Sequence, residues 1–211
     1  MKTDATILVE TGRPLELVEL EIPILKPGQA LVEIHYSGVC HTQLMEARGL
    51  RGPDPFLPHC LGHEGSGVVL ETGKGTKKIK TGDQVILTWI KGIGANVPNT
   101  VYKWGKKDVN AGAVTTFSRY AVVSENRLVG MPEGINPSLG VLLGCAVPTG
   151  VGAVFNAAAS RPGDSIVILG AGGVGLCAVA AAAIVGCEPV IAVDIVKKKL
   201  DLAKTLGASK L

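Results

Sequence analysis

Aromatic residues are scarce in this sequence, at 4% of 211 residues, and no stretch concentrates charge of one sign. The net charge of +3 is spread along the chain, and the lysines at 197–199 are typical of the solvated start of a helix. Nucleic-acid binding needs a clustered basic surface, commonly with aromatic side chains on which bases stack. We therefore expect no nucleic-acid partner.

Long apolar runs are also missing. The apolar run at residues 174–185 is shorter than the roughly 20 residues that cross a bilayer, and residues 1–5 lack the apolar core of a secretory signal. The five cysteines are an odd number, which favours free thiols or metal ligands over a disulfide framework. These absences predict a cytoplasmic protein with no membrane partner, and its 46% hydrophobic residues are enough for one or two domains.

A strand, a glycine-rich turn and a helix follow one another after residue 164. The apolar run at 165–169 predicts a buried strand, and Gly170-Ala-Gly-Gly-Val-Gly175 stands where that strand turns into a helix. Gly170 suits the tight turn, Gly172 admits a pyrophosphate to the backbone, and Gly175 permits close packing of helix and strand. We expect helices at about 173–185 and 197–206.

Asp194 ends the second strand of this unit, about 20 residues after the glycines. A carboxylate there accepts hydrogen bonds from the ribose hydroxyls and repels a 2′-phosphate, so NAD is predicted over NADP. A glycine-rich loop without a ligand is the alternative. The strand before the glycines, the helix after them and the acid at this distance favour the dinucleotide site.

The first third of the chain is instead β-rich. Short alternating or apolar runs are separated by turn residues, which predicts a compact barrel or sandwich, and residues 91–110 are predicted to be an irregular surface lobe. Strand alternates with helix after Pro148, and a helix is predicted over 151–159. The fold class is therefore α/β plus β, with a domain boundary close to Cys145.

Three possible metal ligands lie outside the strand–helix–strand unit: Cys40, His63 and Cys145. Two thiolates and one imidazole are the ligands of a catalytic zinc with an open fourth position. Taken singly, each cysteine is interpreted as a small buried hydrophobe. The dinucleotide motif that follows Cys145 favours a metal held against a nicotinamide.

These motifs resemble the zinc-dependent alcohol dehydrogenases of the medium-chain dehydrogenase/reductase family. The similarity rests on four segments in the family's order: Gly38-Val-Cys-His-Thr42, Gly62-His-Glu-Gly-Ser-Gly67, Gly144-Cys-Ala-Val-Pro-Thr-Gly-Val-Gly-Ala153 and the glycine motif at 170–175. The resemblance implies a GroES-like β-barrel catalytic domain at 1–146. The first half of a Rossmann NAD-binding domain follows at 147–211.

The resemblance also implies residue roles in the oxidation of an alcohol by NAD, with an aldehyde or ketone as product. By it, Cys40, His63 and Cys145 hold one catalytic zinc, which acts as a Lewis acid on the alcohol. Other site residues follow from it as well: Glu64 approaches the metal, Thr42 begins the proton relay, His41 faces the cofactor phosphates, and Trp89 lines the substrate pocket.

Cofactor contacts are implied in the same way. The glycine motif contributes Gly170, Gly172, Gly173, Val174 and Gly175. In addition, Thr149 and Val174 match residues near the nicotinamide, and Lys199 matches the lysine that joins Asp194 at the adenosine ribose.

Two departures from the family pattern concern the metal. Gln43 stands where the family usually has an aspartate that accepts a hydrogen bond from the zinc-bound histidine. Two consequences remain open: Gln43 replaces the aspartate adequately, or the zinc affinity is lower than in the family. Residues 88–118 contain no cysteine, so no structural zinc is expected there, and Cys60 is interpreted as a core residue. Apart from the metal, Met45 stands where the family frequently has a histidine of the proton relay.

A third departure is length, because family chains continue beyond this point. We expect the N-terminal portion of a longer enzyme or a truncated product, without turnover by the isolated chain and with homo-oligomers formed by the full-length protein. The alternative function is a catalytically inactive, nucleotide-binding relative on the same fold. Among enzymes, a polyol or secondary-alcohol dehydrogenase is the nearest rival.

Overall fold

A computed structural model describes residues 1–211, which form two units, Met1–Cys145 and Ala146–Leu211. The first unit contains ten strands: Lys2–Leu8 (β1), Glu16–Glu21 (β2), Gln29–Ser37 (β3), His59–Cys60 (β4), Glu64–Thr72 (β5), Gln84–Thr88 (β6), Val101–Trp104 (β7), Lys107–Asn110 (β8), Tyr120–Ser124 (β9) and Leu128–Gly130 (β10). Its α-helices are His41–Ala47 (α1) and Pro137–Gly140 (α2), and 3₁₀ turns occupy Glu125–Arg127 and Val141–Gly144.

The strands form a closed barrel and an open sheet. The barrel follows the order β1-β2-β7-β8-β4, and the five-stranded sheet follows the order β10-β6-β5-β3-β9. Alternation along β3 explains how one strand contributes to two cores: Leu31 packs in the barrel core, whereas Ala30 and Val32 pack in the core of the sheet. The predicted barrel and the predicted fold class are confirmed.

The prediction of an irregular lobe at 91–110 is wrong in its second half. Strands β7 and β8 pair as an antiparallel hairpin there, with Gly105 in the turn at φ +58°. Tyr102 of this hairpin is almost fully buried, and its hydroxyl accepts a hydrogen bond from the Val122 N–H. The Gly, Asn and Lys content of the segment hides two short strands, whose formation depends on their pairing within the barrel.

The second unit consists of Ala146–Gly152 (α3), a π-helical turn at Ala153–Ala157, Ile166–Leu169 (β11), Gly173–Val185 (α4), Val190–Val193 (β12) and Lys197–Thr205 (α5). Strands β11 and β12 are parallel, with Ile166 opposite Val190. Small side chains such as Ala178, Ala182 and Ala203 fill the core, so helices and strands approach closely. The predicted α4 is confirmed, and α5 ends one residue earlier than predicted.

The helix predicted over 151–159 instead begins at Ala146 and passes into the π-helical turn. Pro148 lies in the first turn of α3, where a missing backbone N–H removes no intrahelical hydrogen bond. Proline therefore does not delay this helix. No single helix of the chain is long and apolar enough to cross a bilayer. The helical segments Pro137–Gly144 and Ala146–Ala157 reach a sufficient apolar length only when they are taken together, and a bend separates them.

Candidate metal centre and nucleotide site

Three ligand-type side chains meet in the first unit. Cys40 caps the start of α1 after β3, His63 directly precedes β5, and Cys145 follows the 3₁₀ turn Val141–Gly144. Their ligand atoms all lie within 4.8 Å of one another. Two sulfurs and one imidazole nitrogen at this spacing suit a tetrahedral zinc with one open position.

Buried Glu64 packs between the two glycines that precede the cysteine ligands. A Cβ placed on Gly38 would come within 2.5 Å of Glu64 Oε1, and a Cβ on Gly144 would come within 2.9 Å of Glu64 Cβ. Only a glycine at each position lets the two segments approach the start of β5, where His63 also lies. The geometry therefore brings Glu64 beside the cluster.

Thr88 fixes the segment before Cys145 and is a positioning residue that sequence reasoning missed. Its buried hydroxyl donates a hydrogen bond to the Gly144 carbonyl at 2.7 Å and accepts one from the Ile90 N–H at 3.1 Å. A threonine at the end of an apolar strand is the only signal in the sequence, and it does not reveal the partner.

The imidazole of His63 has one engaged nitrogen and one without a partner. Nδ1 lies 2.6 Å from Nε2 of the Gln43 amide, whereas Nε2 is buried and makes no hydrogen bond. Burial lowers the pKa of His63, so the ring is neutral at neutral pH, as metal coordination requires. A buried nitrogen without a partner, close to two sulfurs, fits a metal ligand.

The other residues predicted for the catalytic centre lie at different depths. Thr42 is half-buried in the first turn of α1, and its hydroxyl oxygen is 3.6 Å from Cys40 Sγ. His41 is exposed, and Trp89 is 51% exposed, with its carbonyl accepting a hydrogen bond from the Arg127 guanidinium. The structure therefore brings Thr42 to the cysteine–histidine cluster and leaves the Trp89 ring largely in solvent.

A cavity of about 350 Å³ in the first unit borders the cluster on its histidine side. Gln43, His63, Phe56 and His59 are among its lining residues. Neither cysteine of the cluster lines it, and neither Thr42 nor Trp89 does. The cavity thus lies along the Gln43 side of the imidazole rather than along the residues predicted to contact an alcohol.

Cys60 is the remaining cysteine of the first unit and lies outside the cluster. It is buried in the barrel core, and burial raises the pKa of its thiol to about 12. The thiolate form that binds metals is therefore negligible at neutral pH. This agrees with the interpretation of Cys60 as a core residue.

The glycine motif of the second unit forms a turn between β11 and α4. Gly170 has a φ of +95°, and a Cβ on Gly175 would overlap the Gly170 carbonyl oxygen. A Cβ on Gly172 would meet nothing within 4 Å, so the backbone there is open to a ligand. Helix α4 starts at Gly173, and its free N–H groups face the anion-binding position expected of this motif.

Asp194 fixes this turn, a role that the sequence did not reveal. Its Oδ2 accepts a hydrogen bond from the Ala171 N–H at 2.8 Å, and its Oδ1 accepts one from the Val196 N–H at 2.8 Å. The hydrogen bonds from Val196 and Ala171, assisted by Lys199 at 3.6 Å, lower the pKa of Asp194. The carboxylate therefore stays charged and joins the glycine turn to the end of β12.

The two remaining predicted cofactor residues are accessible. Val174 is 39% exposed in the first turn of α4, and Thr149 is exposed on α3. Gly150 lies against the Val174 carbonyl, so α3 and α4 pack closely beside the glycine turn. The second unit thus gathers the glycines, Val174, Asp194 and Lys199 around one turn, with Thr149 on the adjoining helix.

Known proteins with the same architecture include dehydrogenases. S-(hydroxymethyl)glutathione dehydrogenase of Synechocystis sp. is 35% identical over 99% of this chain and 63% of its own length. The crystal structure of an alcohol dehydrogenase zinc-binding domain protein from Burkholderia ambifaria matches with a TM-score of 0.89 and 32% identity, over 100% of this chain and 63% of that one. Benzyl alcohol dehydrogenase from Acinetobacter calcoaceticus matches with a TM-score of 0.86 and 31% identity, over the same shares.

The chain thus spans 63% of the length of these relatives. The family model of the alcohol dehydrogenase GroES-like domain matches residues 26–133, about half of the chain. This match covers β3 to β10 and includes Cys40 and His63. The chain therefore belongs to the family of zinc-type medium-chain alcohol dehydrogenases and carries its GroES-like domain.

Proposed function

We propose that this chain carries the catalytic zinc site and the NAD-binding turn of an alcohol dehydrogenase, which transfers hydride between an alcohol and NAD with an aldehyde or ketone as product. The observation that carries the proposal is the convergence of Cys40, His63 and Cys145, with a buried His63 nitrogen that has no partner. A catalytically silent relative has no chemical need for two thiols and an imidazole at one point.

In this proposal the two cysteine sulfurs and Nε2 of His63 hold the zinc. A zinc ion so held would supply Lewis-acid chemistry at the alcohol oxygen, and bound NAD would supply the hydride acceptor. Thr42, beside Cys40, takes the hydroxyl proton of the alcohol through its own oxygen and passes it on. The Met45 side chain cannot accept and release a proton, so the relay continues through water or ribose hydroxyls. Glu64 supplies a buried carboxylate beside the site.

The second unit supplies cofactor binding. Backbone N–H groups at the start of α4 bind the pyrophosphate, and Asp194 with Lys199 binds the adenosine ribose. Lone pairs remain on the Asp194 carboxylate after its two backbone hydrogen bonds, so it can also accept from a ribose hydroxyl. His41 is assigned to the phosphates, and Thr149 and Val174 to the nicotinamide.

This assignment makes residues 1–146 the catalytic domain and 147–211 the NAD-binding part. The partner is a small alcohol, aldehyde or ketone, with no role for nucleic acid or membrane, in a cytoplasmic enzyme that forms homo-oligomers. The names of the relatives suggest two substrates to test first, S-(hydroxymethyl)glutathione and benzyl alcohol. A polyol and a secondary alcohol test the rival substrate class.

The experiment compares the purified protein with its Cys145→Ala variant. We expect one zinc per wild-type chain, NADH formation with at least one of these four alcohols by the enzyme that contains the chain, and loss of both in the variant. NAD binding by the variant, measured by calorimetry, should persist because the glycine turn lies in the other unit. NAD binding without zinc in the wild type would instead favour the silent nucleotide-binding protein.

A further inference from the structure

We propose that Gln43 is a positioning residue that holds His63 in the tautomer unable to bind a metal through Nε2, so that metal loading forces the Gln43 amide to give up a hydrogen bond. The inference deepens the proposed zinc site and rests on it. It concerns the direction of hydrogen bonds around one buried amide, which is 5% exposed.

Two groups compete for the single acceptor of Gln43. Its Oε1 accepts a hydrogen bond from the Cys40 N–H at 3.1 Å, and its Nε2 lies 2.6 Å from Nδ1 of His63. The Cys40 N–H is always a donor, because it belongs to the backbone at the start of α1. An amide offers one oxygen and one NH₂ group, so the NH₂ group faces the imidazole when the oxygen caps the helix.

In the metal-free protein both the oxygen and the NH₂ group of Gln43 have a hydrogen-bond partner. The Gln43 NH₂ group donates to Nδ1 of His63, which must then carry no proton, and the proton of the neutral ring resides on Nε2. That nitrogen is the buried one without a partner, close to the cysteine sulfurs. The hydrogen-bond pattern thus places a proton on the atom that a metal would use.

In the metal-loaded protein one hydrogen bond must be lost. Coordination through Nε2 leaves the proton on Nδ1, so Nδ1–H and the Cys40 N–H are both donors that face Gln43. Turning the amide over satisfies Nδ1–H and leaves the Cys40 N–H opposite an NH₂ group; leaving it in place does the reverse. Either orientation of the Gln43 amide therefore leaves one of the two N–H donors without an acceptor. A carboxylate at this position would accept from both donors.

Gln43→Glu tests this idea because glutamate has the same length and two acceptor oxygens. A first measurement needs no metal: long-range ¹H–¹⁵N spectra report the tautomer of each of the four histidines. We expect the wild-type His63 ring to carry its proton on Nε2 and the Gln43→Glu ring to carry it on Nδ1. A purely structural role for Gln43 would leave the tautomer unchanged. A wild-type ring already protonated on Nδ1 would overturn the proposal.

The second measurement is zinc affinity by competition with a chelator. We expect Gln43→Glu to tighten binding by about tenfold or more, the lower end of what partners of metal-bound histidines contribute. Gln84→Glu makes the same chemical change at an exposed position of β6 and should leave the affinity within about twofold. Thermal unfolding of each variant verifies that it is folded. Gln43→Leu removes the hydrogen bonds of residue 43 to the Cys40 N–H and to His63 Nδ1. Because this variant has no hydrogen bond to lose when zinc binds, its zinc affinity should not fall by tenfold.

The outcomes separate this inference from the proposed function. Zinc binding by the wild type with equal affinity in Gln43→Glu would refute the role of Gln43 and leave the zinc site intact. If neither the wild type nor any variant binds zinc while the His63 tautomers are as expected, the zinc site is refuted. The proposed loss of a hydrogen bond on zinc binding is then refuted with it. Tighter binding in Gln43→Glu with an unchanged tautomer would show a charge effect and would also refute the proposal.

Discussion

Replacing Gly144, which directly precedes Cys145, by alanine should disturb the metal centre. The added Cβ would lie 2.5 Å from the Leu87 carbonyl oxygen, about 0.9 Å inside ordinary contact at 3.4 Å, and 2.9 Å from Glu64 Cβ. Leu87 cannot withdraw easily, because β6 is paired on one side with β5 and on the other with β10. The segment that carries Cys145 must therefore move.

The size of this movement sets the expected effect. Metal–ligand distances in proteins tolerate about 0.2 Å, so a displacement of several tenths of an ångström at Cys145 should weaken zinc binding by at least about tenfold. Overpacking of this kind costs about 1–3 kcal/mol of folding stability. The same movement breaks or lengthens the Thr88 hydrogen bond to Gly144.

Gly130→Ala is the matched control. A Cβ there meets nothing within 4 Å and the φ of this glycine is not positive, so its stability should change by less than about 1 kcal/mol. Urea denaturation gives the stability of both variants, and chelator competition gives their zinc affinity. Equal zinc affinity in Gly144→Ala and Gly130→Ala would refute the argument that close packing at Gly144 sets the position of Cys145.

Glu125→Gln should destabilise the first unit by about 1–3 kcal/mol at pH 7, because the carboxylate accepts hydrogen bonds from the backbone N–H groups of Ala95, Lys77 and Lys78. Burial acts to raise the pKa of Glu125, but these hydrogen bonds outweigh burial and lower the pKa. The stabilisation is therefore fully present above the ordinary pKa of an unfolded-state glutamate, and it is lost as pH falls through the lower folded-state pKa. Urea unfolding from pH 7 to 3 with exposed Glu133→Gln as control checks this, and a pH-independent difference would contradict it. Asp194→Asn should lower NAD affinity by about tenfold, since one of its two backbone hydrogen bonds and the ribose acceptor charge are lost. Calorimetric titration with NAD and NADP tests this, and a wild type that prefers NADP would show that Asp194 has another role.

Local patterns made the fold class predictable. The apolar strand, the glycine motif and the acid of the second unit lie within about 30 residues, at the spacing of a known motif. Helix α4 follows from these signals to the residue. The hairpin β7–β8 did not follow, because its strands are stabilised by pairing with distant β2 and β4 rather than by a local pattern.

The candidate site divides in the same way. Residue types at 40, 63 and 145 indicate zinc chemistry, but their convergence depends on two glycines that pack against Glu64, a contact over long sequence separations. The anchoring of the Gly144 carbonyl by Thr88 and the hydrogen bonds of Asp194 to the glycine turn depend on backbone positions that no residue type reveals. The catalytic roles of Thr42, His41 and Trp89 stay predictions.

X-ray absorption at the zinc edge of the zinc-loaded protein tests the central claim most directly. Coordination by Cys40, Cys145 and His63 predicts two sulfur neighbours at about 2.3 Å and nitrogen or oxygen neighbours at about 2.0–2.1 Å, in a four-coordinate shell. The Cys145→Ala variant should not retain zinc, so its zinc-edge signal should be lost. A wild-type shell without sulfur, or with four sulfurs, would contradict the assignment of these three residues as the zinc ligands.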